Sequence, residues 1–198
     1  MKEKKDLIVK FDAPIAFEGK SWEHMDLNGL YGLTMQDMAD TQNEAMRQDS
    51  VAGTILPETS TASLMALAAK ATGEPIELFQ MMPKKAGRAV KSEVQRFLMD
   101  VTTPEAMRVQ LETPLKVGDK TVETLDLSAI ADMKTIQLME AEERMAKKGL
   151  VYREPMASYS FAAALAALAT GIPEGAILQA GIRDGVAIKA AVTKDFFG

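Results

Sequence analysis

Apolar and polar residues alternate near the start of the chain. Val9, Phe11, Ala13, Ile15 and Phe17 stand against Lys10, Asp12, Pro14, Ala16 and Glu18. A period of two over this length predicts a half-buried strand. The alternation returns at Val109, Leu111, Thr113, Leu115 and Val117. Pro14 and Pro114 cannot donate to a ladder, so each strand is expected at a sheet edge or with a bulge there. Glu18-Gly19-Lys20 and Gly118-Asp119-Lys120 are turn signals, with glycine second in one pair and first in the other. Two hairpins of differing turn type follow. The return strands, 20–27 and 120–127, are apolar at Trp22, Met25 and Leu27 and at Val122, Leu125 and Leu127. The step of three between the first two of each set predicts a bulge near 23–24 and 123–124.

The period then lengthens. Thr34 with Asp37 reads as a capping-box start, and Met35, Met38, Ala39, Gln42, Ala45 and Met46 form a helical stripe to about Gln48. The matching stripe runs from Asp132 through Met133, Ile136, Leu138, Met139, Glu142 and Met145 to Lys147, Lys148 and Gly149. Cations and a glycine suit a helix end. After a loop at 51–58, a second helix is predicted over Ser60–Thr72, closed by Gly73, and its match over Ala157–Thr170, closed by Gly171. The apolar run Phe161–Ala169 has no polar face and predicts burial between other elements. Pro75 and Pro173 are placed to start short helices. Each half ends in an aromatic helix, Val94-Phe97-Leu98 and Val192-Phe196-Phe197.

The order repeats with the residues. Pro14–Leu27 returns at Pro114–Leu127, displaced by 100 residues without a gap. Gly73, Pro75, Gly87, Ala89, Lys91 and Val94 return as Gly171, Pro173, Gly185, Ala187, Lys189 and Val192, displaced by 98. The difference places a two-residue deletion between the first and second helices, where loop length is cheap. The expected fold is α+β and predominantly helical. It has two similar units, 1–99 and 100–198, each a hairpin followed by three to four helices and joined near Asp100–Arg108. The pattern leaves open whether the four strands form one sheet or two, and whether the units relate by a two-fold or in tandem.

Chemistry is sparse. There is no cysteine, which excludes thiolate zinc sites and thiol nucleophiles, and one histidine, His24, whose match is Thr124. A surface or strand-edge role is therefore expected for His24. Glu23/Glu123 and Asp26/Asp126 are duplicated acids, read as a polar strand face and as bonds to local backbone. Glu140, Glu142, Glu143 and Arg144 read as a solvated helix face. The glycines fit no phosphate-loop or dinucleotide spacing. Residues 1–99 carry a charge of −2 and 100–198 of −3, so a nucleic-acid face is not expected. No apolar run reaches the ~18 residues of a membrane span, and the start MKEKKDLIVKF lacks a signal peptide's apolar region. The fourteen methionines suit adaptable cores and adaptable contact surfaces. Met81-Met82 cannot both point inward on one helix and is the expected exposed apolar contact.

The ordered motifs resemble the Mu-like tail protein group of phage tail assembly chaperones. They are Pro14-Ile15, Gly19-Lys20, Met25-Asp26-Leu27, Thr72-Gly73-Glu74-Pro75 and Val94-Gln95-Arg96-Phe97-Leu98. The second set is Pro114-Leu115, Gly118, Leu125-Asp126-Leu127, Thr170-Gly171-Ile172-Pro173 and Val192 with Phe196-Phe197. Two units in one chain depart from the single unit of that family. The resemblance implies a non-enzymatic chaperone without cofactor or metal. It would bind the tape-measure protein, help recruit tail tube subunits, act in the host bacterial cytoplasm and be absent from the mature virion. Self-association is left open. The expected contact residues are Phe79, Met81, Met82, Phe97, Leu98, Phe196 and Phe197. The competing expectation is a tube or baseplate component retained in the virion.

Overall fold

Two hairpins anchor the architecture. In a computed structural model, which describes residues 4–48, 58–101, 107–148 and 155–194, β1 (Ile8–Phe17) pairs with β2 (Lys20–Asp26), and β3 (Arg108–Val117) with β4 (Lys120–Asp126). All are antiparallel, in two separate two-stranded sheets. The first loop has positive φ at both Glu18 and Gly19, the primed turn that matches strand twist. In the second, only Gly118 is positive, so the turn type differs while the two-residue loop is kept.

The bulge lies in the outgoing strand, at the prolines where one was expected, and not near 23–24 and 123–124. Lys10 pairs with His24 and Ile15 with Trp22, so Phe11–Pro14 face Glu23 alone. Gln110/Thr124 and Leu115/Val122 repeat this. The extra residues collect in the outgoing strand because Pro14 and Pro114 lack the N–H that a continued ladder needs. Ala13 is consequently exposed, against its place in the alternation.

Each hairpin runs into a 3-10 turn that the apolar pattern did not signal, Asn28–Gly32 and Ser128–Asp132. The Asp26 carboxylate accepts from the Asn28 N–H at 2.9 Å, and that of Asp126 from the Ser128 N–H at 3.1 Å. The local-backbone role expected of both acids is therefore seen. The Ser128 hydroxyl and N–H bonds, with Arg108 beyond them, hold the Asp126 carboxyl below its usual range.

The helices are α1 (Met35–Gln48), α2 (Thr61–Thr72), α3 (Ile76–Gln80) and α4 (Lys84–Met99), then α5 (Thr135–Lys147), α6 (Tyr159–Thr170), α7 (Glu174–Ile177) and α8 (Ile182–Lys194). α5 starts three residues later than the apolar stripe suggested, because Asp132 closes the 3-10 turn. Ser60 and Ser158 cap α2 and α6, and Gly73 and Gly171 end them at φ 72° and 70°. Pro75 and Pro173 occupy the capping position, one residue before the short helices. The loop at 51–57, most of the joint, and Phe196 and Phe197 lie outside the described residues.

The fold is α+β. One hydrophobic cluster runs through both halves. Within it α6 is buried from Tyr159 to Ala167, as its uniform apolarity predicted. α2 packs on α1, α3 and α4 in the first half, and α6 on α5, α7 and α8 in the second. Between the halves, α1 packs on α6 and α8, and α4 on α8. The packing of α1 has no counterpart: α5 makes no comparable contact with α2 or α4 among the described residues.

Candidate functional site

The seam between the halves is the most constructed part of the molecule. It begins at the start of α1. The Asp37 carboxylate accepts from the Thr34 N–H and hydroxyl, both at 2.9 Å, and the Asp37 N–H bonds the Thr34 hydroxyl at 3.3 Å. This is the capping box expected from Thr34 and Asp37. The carboxylate also pairs with Lys70 at 2.9 Å. Burial pushes the Asp37 carboxyl up, but Lys70 and the Thr34 bonds together outweigh it and leave it below its ordinary value.

So oriented, the residues entering α1 lie alongside the entry to α8. The N–H groups of Met35 and Gln36 donate to the carbonyls of Ala180 and Leu178 at 2.8 Å each, and Ile182 donates to Leu33 at 2.9 Å. First-turn amides of a helix have no acceptor inside it, so the opposite half caps α1. The Met35 side chain sits over Gly185. A Cβ there would lie 2.7 Å from the Met35 Cβ and 3.2 Å from its Cα. One face further along α1, the Gln42 amide donates to the Ala157 carbonyl at 2.9 Å and accepts from the Tyr159 N–H at 3.1 Å.

Behind this lies a buried ionic cluster. Lys189 Nζ is 2.8 Å from Glu58 Oε1 and 4.8 Å from the centre of the Tyr159 ring, and the Tyr159 hydroxyl donates to the same Glu58 oxygen. Burial first, and then the Glu58 charge, push the Tyr159 hydroxyl well above the ordinary phenol range. Carboxylate, phenol and ammonium are the parts of an acid–base set. Here all three are buried and engaged with one another, tying the first half (Glu58) to the second (Tyr159 and Lys189). Asp184 is a second buried acid. It accepts from the Glu112 and Thr113 N–H groups at 2.7 and 3.2 Å and so fixes the bulge of β3 to α8. Burial raises its carboxyl above the usual range, and the two amides oppose that rise.

The residues expected at a partner surface divide by exposure. Phe79, Met82, Phe97 and Leu98 are buried in the core, and Phe97 meets Tyr31 edge to face at 5.0 Å. Their side chains are committed to packing. Met81 follows α3 directly and is 73% exposed. Other exposed large apolar side chains are Met99 at 60%, Ile136 at 65%, Met139 at 56% and Ile8. His24 is exposed on β2 opposite Lys10 and borders an open groove with Phe11, Asp12, Pro14 and Glu23. Glu140 pairs with Arg144 and Glu143 with Lys147 on the outer face of α5.

Ile136 and Met139 belong to the apolar stripe expected of this helix and are exposed instead, and the ionic cluster was not singled out from the sequence. A signal for them exists in the differences between matched positions. Lys84 and Arg88 stand where the second half has Ile182 and Val186, so one copy of that helix face is covered and the other is wet. Lys189 inside the run Val186-Ala-Ile-Lys-Ala-Ala-Val192 marks a buried charge.

Among the described residues, no group of His, Asp and Glu is placed to hold a metal ion, and no helix is long and apolar enough to cross a membrane. Comparison of the chain with protein-family models, with curated proteins and with solved structures finds no match in any of the three.

Proposed function

We propose that this chain is a non-enzymatic assembly factor of the phage tail chaperone kind, which holds an apolar helical segment of a tape-measure protein in solution and brings tail tube subunits to it. The observation that carries the reading is Met81, three-quarters exposed at the end of a short helix, with Met99 exposed at the end of the next. Unbranched thioether side chains adapt to successive partner sequences without a fixed pocket. The ordered motifs in both halves support the same reading. The polar groups best suited to catalysis are spent on joining the halves, which favours a binding role over an enzymatic one.

The setting for such a factor is the cytoplasm of an infected bacterium, with departure before the virion is complete. The test is co-expression with the tape-measure protein encoded in the same genome. A soluble complex, weakened by Met81→Glu, is the expected result. An insoluble tape measure and no recovered complex would refute the reading. Recovery of the chain in purified mature particles would favour a retained tube or baseplate component instead.

A further inference from the structure

We infer that the chain self-assembles head to tail, with α5 of one molecule docking on the α4–α2 face of the next in the way α1 docks on α8 and α6 within one molecule. The inference does not rest on the chaperone reading.

The matched elements supply the template. α1 and α5 begin alike. The N–H of Thr34 bonds the Asp37 side chain, and that of Lys134 bonds the Gln137 side chain at 3.0 Å. α2 and α6 share a serine cap and a left-handed glycine end. Yet α1 is covered by the other half, whereas among the described residues α5 is not. Met38 and Ala39 are fully buried, whereas their matches Leu138 and Met139 are half-buried and exposed. Gln42 is buried and its match Glu142 is exposed. The Met35 and Gln36 amides are capped by the other half, whereas those of Thr135 and Ile136 have no acceptor among the described residues.

The receiving face is likewise covered once and bare once. Ile182, Val186 and Ala187 are buried in α8, which packs on α1 as well as on α6, β3 and α4, whereas their matches Lys84, Arg88 and Ala89 are exposed. Gly87 is the sharpest of these. Its match, Gly185, is required by the closeness of Met35. At Gly87 a Cβ would meet nothing nearer than the Met82 Cβ at 3.9 Å. Glycine inside a helix costs about 0.5–1 kcal/mol against alanine, and nothing among the described residues offsets it at Gly87. A docking helix from outside would.

The receiving backbone also fits. The groups used in the existing contact belong to residues 178, 180 and 182, whose matches are Gln80, Met82 and Lys84. Pro83 falls between them and removes no needed donor. Volume is redistributed rather than lost, since Met35 and Ala39 become Thr135 and Met139. Charge is complementary: Glu142, at the place of Gln42, is on the donor face, and Lys84 and Arg88, at the places of Ile182 and Val186, are on the receiving one. Because the existing contact is between two different faces, its repetition leaves one donor and one acceptor at the ends, and growth is open unless the rotation closes a ring.

Sedimentation velocity of the full chain over a concentration series tests this. The expected result is a mass that climbs past the dimer as concentration rises and falls with added salt. Ile136→Lys with Met139→Lys removes the donor face, and Gly87→Leu with Arg88→Glu removes the acceptor. Each variant alone is expected to be monomeric, with circular dichroism unchanged. Mixed, they retain one good face of each kind and are expected to form a 1:1 dimer that grows no further. A wild-type chain that stays monomeric overturns the inference. So does a dimer indifferent to both variants, or a mixture of the two variants that yields no dimer.

Discussion

Gly185 and Gly87 occupy matched places in α8 and α4, and alanine should act on them in opposite directions. At Gly185 the new methyl would lie 2.7 and 2.8 Å from the Met35 Cβ and Cγ and 3.2 Å from its Cα. The Cα cannot swing aside, because the Met35 N–H is tied to Ala180 at 2.8 Å. Overpacking of this sort costs about 1–3 kcal/mol, and the involvement of backbone places it in the upper part of that span. Helix propensity returns about 0.8–1 kcal/mol. Gly185→Ala is therefore expected to destabilise by about 1–2 kcal/mol. At Gly87 only the propensity gain remains within one molecule, so Gly87→Ala should stabilise the dilute protein by about 0.5–1 kcal/mol. At about 2–4 °C per kcal/mol for a chain of this size, the two melting temperatures should move apart by several degrees. Urea unfolding of dilute protein gives the same comparison through the midpoint at constant slope. Two variants that shift together, in either direction, would refute the account of the seam.

The buried ion pair should tolerate joint replacement better than single replacement. Lys189→Met alone leaves the Glu58 charge buried without its cation and is expected to cost about 3–5 kcal/mol, while Glu58→Leu with Lys189→Met and Tyr159→Phe, which leaves no hydroxyl orphaned, recovers most of it, as read from urea midpoints. Gly29→Ala would place a methyl 1.9 Å from the Ala71 carbonyl oxygen, where the obstacle is backbone, so a fall in melting temperature larger than that of Gly185→Ala is expected. Ala129→Gly, at the matched place, should lower stability by no more than about 1 kcal/mol. Asp37→Asn should cost about 1 kcal/mol at neutral pH through the weakened capping box. The Asp37 carboxyl is held below its value in the unfolded chain, so its contribution is present above that value and lost as pH falls through the folded one. The wild-type and Asp37→Asn stabilities are thus expected to converge in acid, and a difference that stays constant with pH would contradict the linkage.

Local features were legible where the signal is local. The hairpins follow from period-two alternation, and the ends of α2 and α6 from Ser60, Ser158, Gly73 and Gly171, because caps and turns are set by one or two residues. The bulge was legible at Pro14 and Pro114, which lack the N–H that a ladder needs, whereas the step of three in β2 and β4 pointed to the wrong strand. The start of α5 was displaced because Asp132 closes a 3-10 turn and Met133 caps it, so the first residues of the apolar stripe lie ahead of the helix. The surface was read least well. Phe79, Phe97 and Leu98 are apolar for the core, and Met81 differs from Met82 only in the direction the chain takes after α3. Ile136 and Met139 read as core positions because a sequence does not say which faces of a helix another half covers.

That last failure follows from how the halves meet. Had a two-fold related them, each half would present the same face to the other, and matched residues at the contact would be alike in burial. The contact is instead between unlike faces, so the two members of a matched pair experience different surroundings. Residues that fold each half are the same in both: Asp26 and Asp126, Leu27 and Leu127, Gly73 and Gly171, Pro75 and Pro173. At the seam and at its uncovered counterpart several matched residues differ in polarity: Ile182 against Lys84, Val186 against Arg88, Gln42 against Glu142, Met35 against Thr135. The direction of the changes is physical. Covered copies are apolar or neutral, and bare copies are charged or polar, which keeps an open end soluble. Ile136, Met139 and Gly87 run against that trend, since two exposed apolar side chains and an unneeded helix glycine are costly on a bare face. These three exceptions lie on the two surfaces that a repeated seam would bring together, and the same contact would remove all three costs at once.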